Sequence, residues 1–103
     1  MTITDEQILS ILNLSNLPEV NSVEVRQVTG RRISVFIHPT VDTDVSPVIE
    51  AFKSIVPGVE GQAEEPYEMT HQGEKRVLIQ VHRFNCYPAF NVDIYEKKGI
   101  KPA

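Results

Sequence analysis

The chain carries three histidines, the side chain that most often serves as acid, base or metal ligand near neutral pH. They are His38, His71 and His82. None stands at the spacing of a local ligand pair such as His-x-His or His-x-x-x-His, so the sequence indicates no metal site and no cofactor. A site would still form if the fold brought His38 and His71 to a carboxylate, and convergence of all three histidines with Cys86 would favour chemistry over binding.

A second set of residues has the types that metal-free ribonucleases use. His82 would act as the acid or base, Arg83 and Arg26 would hold a phosphate, and Tyr87 would assist. Cys86, four residues after His82, would be a nucleophile only in a positively charged environment, and a structural cysteine is the simpler interpretation. Enzymes that grip polyanions are usually basic, whereas this chain has a net charge of −4. A hydrolytic enzyme is therefore the alternative hypothesis.

Nucleic-acid binding without catalysis is a further alternative. It would use four basic residues placed at two predicted hairpin tips, Arg31, Arg32, Lys75 and Arg76. The tips would make one basic patch if they met at the same end of the sheet. No glycine-rich phosphate loop accompanies them.

The strongest charge feature is an acidic segment (residues 39–71), which holds seven acids against one base, Lys53. Such a segment would speed encounter with a basic partner. The residues predicted to contact that partner are Asp42, Asp44, Glu60, Glu64, Glu65 and Glu68.

An aromatic segment (residues 84–90, Phe-Asn-Cys-Tyr-Pro-Ala-Phe) adds to this interface. Exposed aromatic side chains are common interface anchors, which points to Phe84 and Tyr87. In the other interpretation Phe84 and Phe90 pack in the core and only Tyr87 lies outside.

These features favour a domain that binds another protein with a basic surface. An inhibitor or immunity-like protein, a phage or mobile-element accessory protein, or an assembly subunit that self-associates through an edge strand would have this composition. Nucleic acid is a less favoured partner, and no membrane partner is expected.

The composition is that of one domain. The 103 residues are 41% hydrophobic and 23% charged, which is typical of a globular chain. One cysteine excludes an intrachain disulfide and fits a reducing compartment. No apolar stretch reaches about 18 residues, and the early acids do not match a secretory signal, so a cytoplasmic location is expected.

Capping residues and the periodicity of apolar residues predict the helices and strands. Thr4-Asp5-Glu6-Gln7 matches a capping box and predicts a helix that ends near Leu14. Residues 20–38 alternate with period two and predict a hairpin with the loop Thr29-Gly30-Arg31. That loop would place Val25 opposite Val35 and Val23 opposite Ile37.

The rest of the chain predicts a helix capped by Ser46 and a second hairpin, residues 67–71 and 75–84. Residues 85–88 are predicted to form a turn, and a last strand starts at Phe90. Residues 97–103 are predicted to form a frayed tail. The predicted order is α-β-β-α-β-β-β. The fold class is α+β, a mainly antiparallel sheet of about five strands with two helices on one face.

Overall fold

The structure is a computed structural model that describes residues 3–29, 32–71, 75–86 and 90–100. Two helices, a 3₁₀ turn and six strands follow one another along the chain. In order they are α1 (Asp5–Leu12), the 3₁₀ turn (Asn13–Asn16), β1 (Val20–Thr29), β2 (Arg32–Pro39), α2 (Ser46–Ile55), β3 (Gly61–Ala63), β4 (Tyr67–His71), β5 (Lys75–Cys86) and β6 (Phe90–Gly99). In the described residues, no helix is long and apolar enough to cross a membrane.

The α+β fold class is confirmed, with six strands rather than about five. The strand order is β1-β2-β6-β5-β3, and β4 also pairs with β5. The added strand is β3, a three-residue strand within the acidic segment, between the second predicted helix and the second predicted hairpin. All pairs are antiparallel except β2 with β6. Those two strands are far apart in sequence, so no turn signal could reveal their parallel pairing.

The capping box of α1 is confirmed. The Thr4 N–H donates to the Gln7 Oε1 at 2.8 Å, and the Gln7 N–H donates to the Thr4 Oγ1 at 3.1 Å. These two bonds satisfy backbone donors that have no partner within the helix. The helix passes into the 3₁₀ turn at Asn13, close to its predicted end.

The start of α2 differs from the prediction. Ser46 is the first helical residue rather than the N-cap, and the Asp44 carboxylate accepts the Ser46 N–H at 3.0 Å. A carboxylate is as good an acceptor as a hydroxyl for the exposed N–H groups of a first turn, and it also favours the positive end of the helix dipole. Asp44 therefore has a structural task in addition to its charge.

The register of the first hairpin is confirmed, since Val23 pairs with Ile37 and Val25 with Val35. Its predicted three-residue loop is wrong, because Thr29 pairs with Arg32. An irregularity between Gln27 and Thr29 takes up the extra residue, and this restores the register in which apolar residues face each other. Residues 30 and 31 lie outside the described residues.

The last two strands are longer than predicted. Asn85 and Cys86, predicted to turn, still belong to β5 and pair with Asn91 and Phe90. Residues 97–99, predicted to fray, pair with β5 as far as Gly99 opposite Val77. The ladder of the neighbouring strand holds this polar segment in place although its own composition is that of a tail.

The two helices cover one face of the sheet, the helix face. There Ile11 of α1 and Phe52 of α2 pack on strand residues whose side chains point the same way, among them Val35, Ile37, Phe84, Val92 and Ile94. A second cluster consists of Val77, Ile79 and Val81, with Tyr95 packed against it. Side chains alternate between faces along a strand, which places this second cluster on the opposite face. No described helix covers that open face.

Candidate functional site

The open face carries a groove of about 570 Å³. Strands β1, β2, β4, β5 and β6 line it, together with the segment that follows β2. Its side chains form a polar row (Arg26, Glu24, His38, Lys97) and an apolar floor and rim (Phe36, Tyr67, Met69, Val77, Ile79, Tyr95). A ligand held there would touch both sets.

Strand alternation explains how these side chains meet. Phe36 and His38 of β2 point away from the helices because Val35 and Ile37 point toward them. The same rule directs Tyr95 and Lys97 of β6 to the open face, since Ile94 lies in the helix-side core. The pairing of β2 with β6 then sets His38 beside Tyr95 and Lys97.

The polar row is continuous. The Lys97 Nζ lies 3.2 Å from the His38 Nδ1, and the His38 Nε2 lies 3.8 Å from a Glu24 oxygen. The other Glu24 oxygen accepts from the Arg26 Nε at 2.6 Å. An ammonium has only donors, so Lys97 donates and the His38 Nδ1 accepts, which leaves the imidazole proton on Nε2 toward Glu24.

The electrostatics of the row agree with a neutral histidine. Burial, together with the charge of Lys97, lowers the pKa of His38 below its ordinary value, against an opposing effect of Glu24. Burial also lowers the pKa of Lys97. His38 is therefore an uncharged acceptor at neutral pH, whereas the depressed pKa of Lys97 reflects a cation partly removed from water.

Aromatic rings extend the row into the groove. The His38 and Tyr95 rings are stacked, with centroids 5.0 Å apart, and Phe36 lies 6.0 Å from Tyr95. The Arg26 guanidinium lies over the Phe36 ring at 5.8 Å, a cation–π distance. Burial is the main cause that raises the pKa of Tyr95, so its phenol keeps its proton at neutral pH.

Edge strand β4 supplies the exposed rim. Tyr67 is 45% exposed and Met69 is 55% exposed, and both pair with buried residues of β5, Ile79 and Val77. Large apolar side chains with such exposure are available for contact with a ligand.

Two acids of the predicted interface have structural roles. Asp42 adopts a left-handed backbone conformation with φ of 64°, its N–H donates to the Lys97 carbonyl, and its carboxylate accepts the Gly99 N–H at 2.9 Å. Asp44 caps α2, and the hydrogen bond from the Ser46 N–H lowers the pKa of that carboxyl group. Both carboxylates are thus occupied by backbone donors.

Two more acids are paired with arginines. Glu64 lies 3.4 Å from the Arg83 guanidinium, and Glu68 pairs with Arg76. Six acids were predicted to contact a partner. Among the described residues, Glu60 and Glu65 are the two of these six that are exposed and whose carboxylates form neither an ion pair nor a hydrogen bond to a backbone donor. The acidic segment is therefore less of a continuous anionic surface than its composition suggests.

The aromatic segment is divided by the fold. Phe84 is 3% exposed and its ring lies 4.8 Å from that of Phe52, so it is a core residue and not an interface anchor. Phe90 is buried as well. The prediction for Tyr87 falls outside the described residues.

The predicted catalytic set does not converge. His82 and Arg83 are successive residues of one strand, so their side chains point to opposite faces. His82 lies 3.0 Å from Glu96, while Arg83 lies 3.1 Å from Asp93, whose hydrogen bond is the main cause that raises the pKa of Arg83.

The remaining members of the predicted sites are also apart. Cys86 is buried on the helix face, where burial raises the pKa of its thiol, whereas His38 lies on the open face. The side chain of His71 is outside the described part of the chain. Within that part, no group of three His, Cys, Asp or Glu residues could hold a metal ion.

The strand ends that flank the two predicted basic hairpin tips lie at opposite ends of the sheet. β2 starts beside the start of β6, next to Cys86, whereas β5 starts beside the end of β6. Arg76 and Cys86 are thus separated by ten strand steps, about 30 Å at roughly 3.3 Å per residue. Arg31, Arg32 and Lys75 have no described side chains, and Arg76 is paired with Glu68. The described strands therefore do not bring together the two ends of the sheet that a single basic patch would require.

The sequence alone did not predict the groove. Glu24, Phe36, Tyr95 and Lys97 are members of it that no motif singled out. A signal for them existed, because they lie on the strand faces opposite the apolar residues of their own strands, but the alternation cannot tell which strands become neighbours. Comparisons with protein families, with curated proteins and with solved structures find no match for this chain.

Proposed function

We propose that this chain is a binding domain that holds a small, partly apolar molecule in the open-face groove. The observation that supports this is the groove's size and lining. Its volume of about 570 Å³ lies within the range of roughly 300–1,000 Å³ that is typical of small-molecule sites. Apolar and aromatic side chains with a few convergent polar groups are also the usual lining of such sites.

The state of the polar row favours binding over catalysis. A general base needs an available lone pair within reach of the substrate. The one lone pair of the neutral His38 ring, on Nδ1, accepts from Lys97, and Nε2 carries the ring proton, so neither nitrogen is available as a base. The row thus resembles a rigid set of polar contacts more than a proton-transfer device.

A fragment screen by two-dimensional NMR tests the proposal. Aromatic and aliphatic fragments of positive, negative and zero charge are titrated into the protein. We expect the ligands that bind to shift the amide resonances of Phe36, Tyr67 and Tyr95, because these residues line the groove. Shifts confined to the helices, or an absence of binders, would contradict the proposed site.

A pair of variants provides the control. Met69→Ala removes part of the groove's rim, whereas Leu9→Ala removes an apolar side chain of similar exposure from α1. Met69→Ala should lower the affinity of the fragments that bind by a few-fold, because a partly buried contact is lost. Leu9→Ala should leave their affinity unchanged, and equal effects of the two variants would argue against the groove.

A protein partner is the second candidate, proposed for a cytoplasmic setting. It is favoured by the exposure of Tyr67 and Met69 on edge strand β4, because tyrosine and methionine are enriched at interfaces. The exposed carboxylates of Glu60 and Glu65 would attract a basic surface. Among the described residues, neither acid binds a backbone donor as Asp42 and Asp44 do.

Affinity capture from lysate, with and without nuclease, tests this second candidate. The bait is compared with the double variant Glu60→Lys/Glu65→Lys and with Glu50→Lys, which reverses an exposed charge on α2. A protein that survives nuclease and is lost only with the double variant would support an acidic contact. Recovery that is equal for all three baits would remove Glu60 and Glu65 from the hypothesis.

A further inference from the structure

Lys97 is a cation of the groove that no carboxylate of the described residues contacts directly. Among the residues that the structure describes, no carboxylate oxygen lies within 4.0 Å of its Nζ. The other cation of the polar row, Arg26, is paired with Glu24 at 2.6 Å. Partial burial of an ammonium without an anion has a free-energy cost, and a bound anion would offset it.

His38, which contacts Lys97, supplies no charge at neutral pH. His38 is neutral when its Nδ1 accepts from Lys97, and its ring is fixed by stacking on Tyr95. The contact uses one of the three N–H donors of the ammonium. No other acceptor in the described part of the chain bonds to this ammonium, so two donors remain for a ligand, and one negative charge balances the site.

The surroundings of Lys97 define the rest of the ligand. Ile79 is its partner on β5 and points to the same face. Beyond Ile79 lie the exposed side chains of Tyr67 and Met69 on β4. A molecule with its anionic group on Lys97 would therefore lay its body on apolar and aromatic atoms.

We propose that the groove binds a monocarboxylate with an apolar or aromatic body, its carboxylate on the Lys97 ammonium and its body on Tyr67, Met69 and Ile79. This inference rests on the proposed small-molecule function and names the ligand's chemistry. A carboxylate can accept both remaining ammonium donors, and charge-assisted hydrogen bonds are the stronger kind.

Three probes that share one body test the charge. They are 3-phenylpropionate, its amide 3-phenylpropanamide and the amine 3-phenylpropylamine, each titrated at neutral pH and followed by NMR. We expect the carboxylate to bind in the groove about tenfold more tightly than the amide, because a hydrogen bond to a charged group adds that much affinity. The amine should bind most weakly.

Two lysine variants locate the effect. Lys97→Met keeps the apolar stem and removes the charge. The affinity for the carboxylate should therefore fall about tenfold, and the affinity for the amide should not change. Lys98→Met is the matched control, since Lys98 is adjacent in sequence, points to the other face and lies 3.8 Å from Glu96. It should leave all three affinities unchanged.

A readout on the wild-type chain does not depend on any variant. A carboxylate bound beside Lys97 favours the charged form of neighbouring bases, so the pKa of His38, followed by its ring resonances, should rise with 3-phenylpropionate. The amide should leave it unchanged.

The outcomes separate the two proposals. Equal affinity of the carboxylate and the amide in the groove would overturn the monocarboxylate inference and leave the small-molecule function standing. Tighter binding of the amine would overturn it as well. Failure of all three probes to shift groove resonances would overturn the inference, and the fragment screen would then decide the proposed function by itself.

Discussion

His38 contacts both the polar row and the aromatic side chains of the groove. Its ring accepts a hydrogen bond from Lys97, stacks on Tyr95 and lies at 3.8 Å from Glu24. Burial and the nearby ammonium lower its pKa, and Glu24 only partly opposes them. A protonated ring would lose its acceptor and would repel Lys97, so the groove is best ordered when His38 is neutral.

The first prediction concerns stability against pH. The unfolded histidine binds its proton near the ordinary value of 6.5, whereas the folded pKa is lower. Between these values the unfolded state holds more protons, so the free energy of unfolding falls as pH drops through that window and is retained above it. Urea unfolding between about pH 5 and pH 8 should show a smaller loss on acidification for His38→Gln than for wild type. Equal losses for both proteins would contradict the assigned role of His38.

At the scale of elements, a glycine without a side chain allows β3 to lie close to the core. This strand has three exposed residues and pairs with β5 from Gly61 opposite Phe84 to Ala63 opposite His82. A Cβ at Gly61 would collide with the Phe84 ring, which is itself packed on Phe52 of α2. The absence of a side chain at Gly61 therefore allows β3 to approach a core residue closely.

The second prediction follows from this approach. Gly61→Ala should lower the free energy of unfolding by about 1–3 kcal/mol, because the Phe84 ring has little room to move. Gly99→Ala is the control, since its Cβ would meet only the exposed Asp42 carboxylate at 3.3 Å. Denaturant unfolding should give a clearly smaller cost for Gly99→Ala. Equal costs would mean that Phe84 can shift without penalty.

At the scale of the whole molecule, one sheet buries apolar residues on both faces. The helices cover the face that carries Phe84 and Ile94. On the open face Val77, Ile79 and Val81 are buried by their strand neighbours and Tyr95, without any described helix. Val77, Ile79 and Tyr95 of this second cluster also line the groove, so stability and the proposed binding share residues.

The third prediction tests the second cluster. Ile79 is 6% exposed on the open face, whereas its neighbour Leu78 is 36% exposed on the other face. Ile79→Ala should lower the free energy of unfolding by about 2–5 kcal/mol through lost burial and a cavity. Leu78→Ala should cost about 1 kcal/mol or less. A similar small cost for both would show that the open-face cluster does not contribute to the core.

Local chemistry determined much of this fold from the sequence alone. The Thr4–Gln7 capping box, the apolar alternation that pairs Val25 with Val35, and the second hairpin each depend on residues close together in the chain. Interactions of this kind are encoded by spacing, which is why the α+β class and most elements were predictable. The errors at Ser46 and Thr29 are shifts of one or two residues at element ends, where a neighbouring carboxylate or a bulge offers an equivalent solution.

Tertiary structure decided which side chains meet. The parallel pairing of β2 with β6 brings His38 beside Lys97, 59 residues later in the chain, and it sends the strand ends that flank the two predicted basic hairpin tips to opposite ends of the sheet. The packing of Phe84 on Phe52 of α2 is a contact of the same long-range kind, and it buries a side chain that the sequence also allowed to be exposed. No spacing rule reaches such pairs, because strand order depends on the packing of the whole sheet against its helices. The groove was therefore present in the sequence only as polar and aromatic residues on the strand faces that the helices leave uncovered.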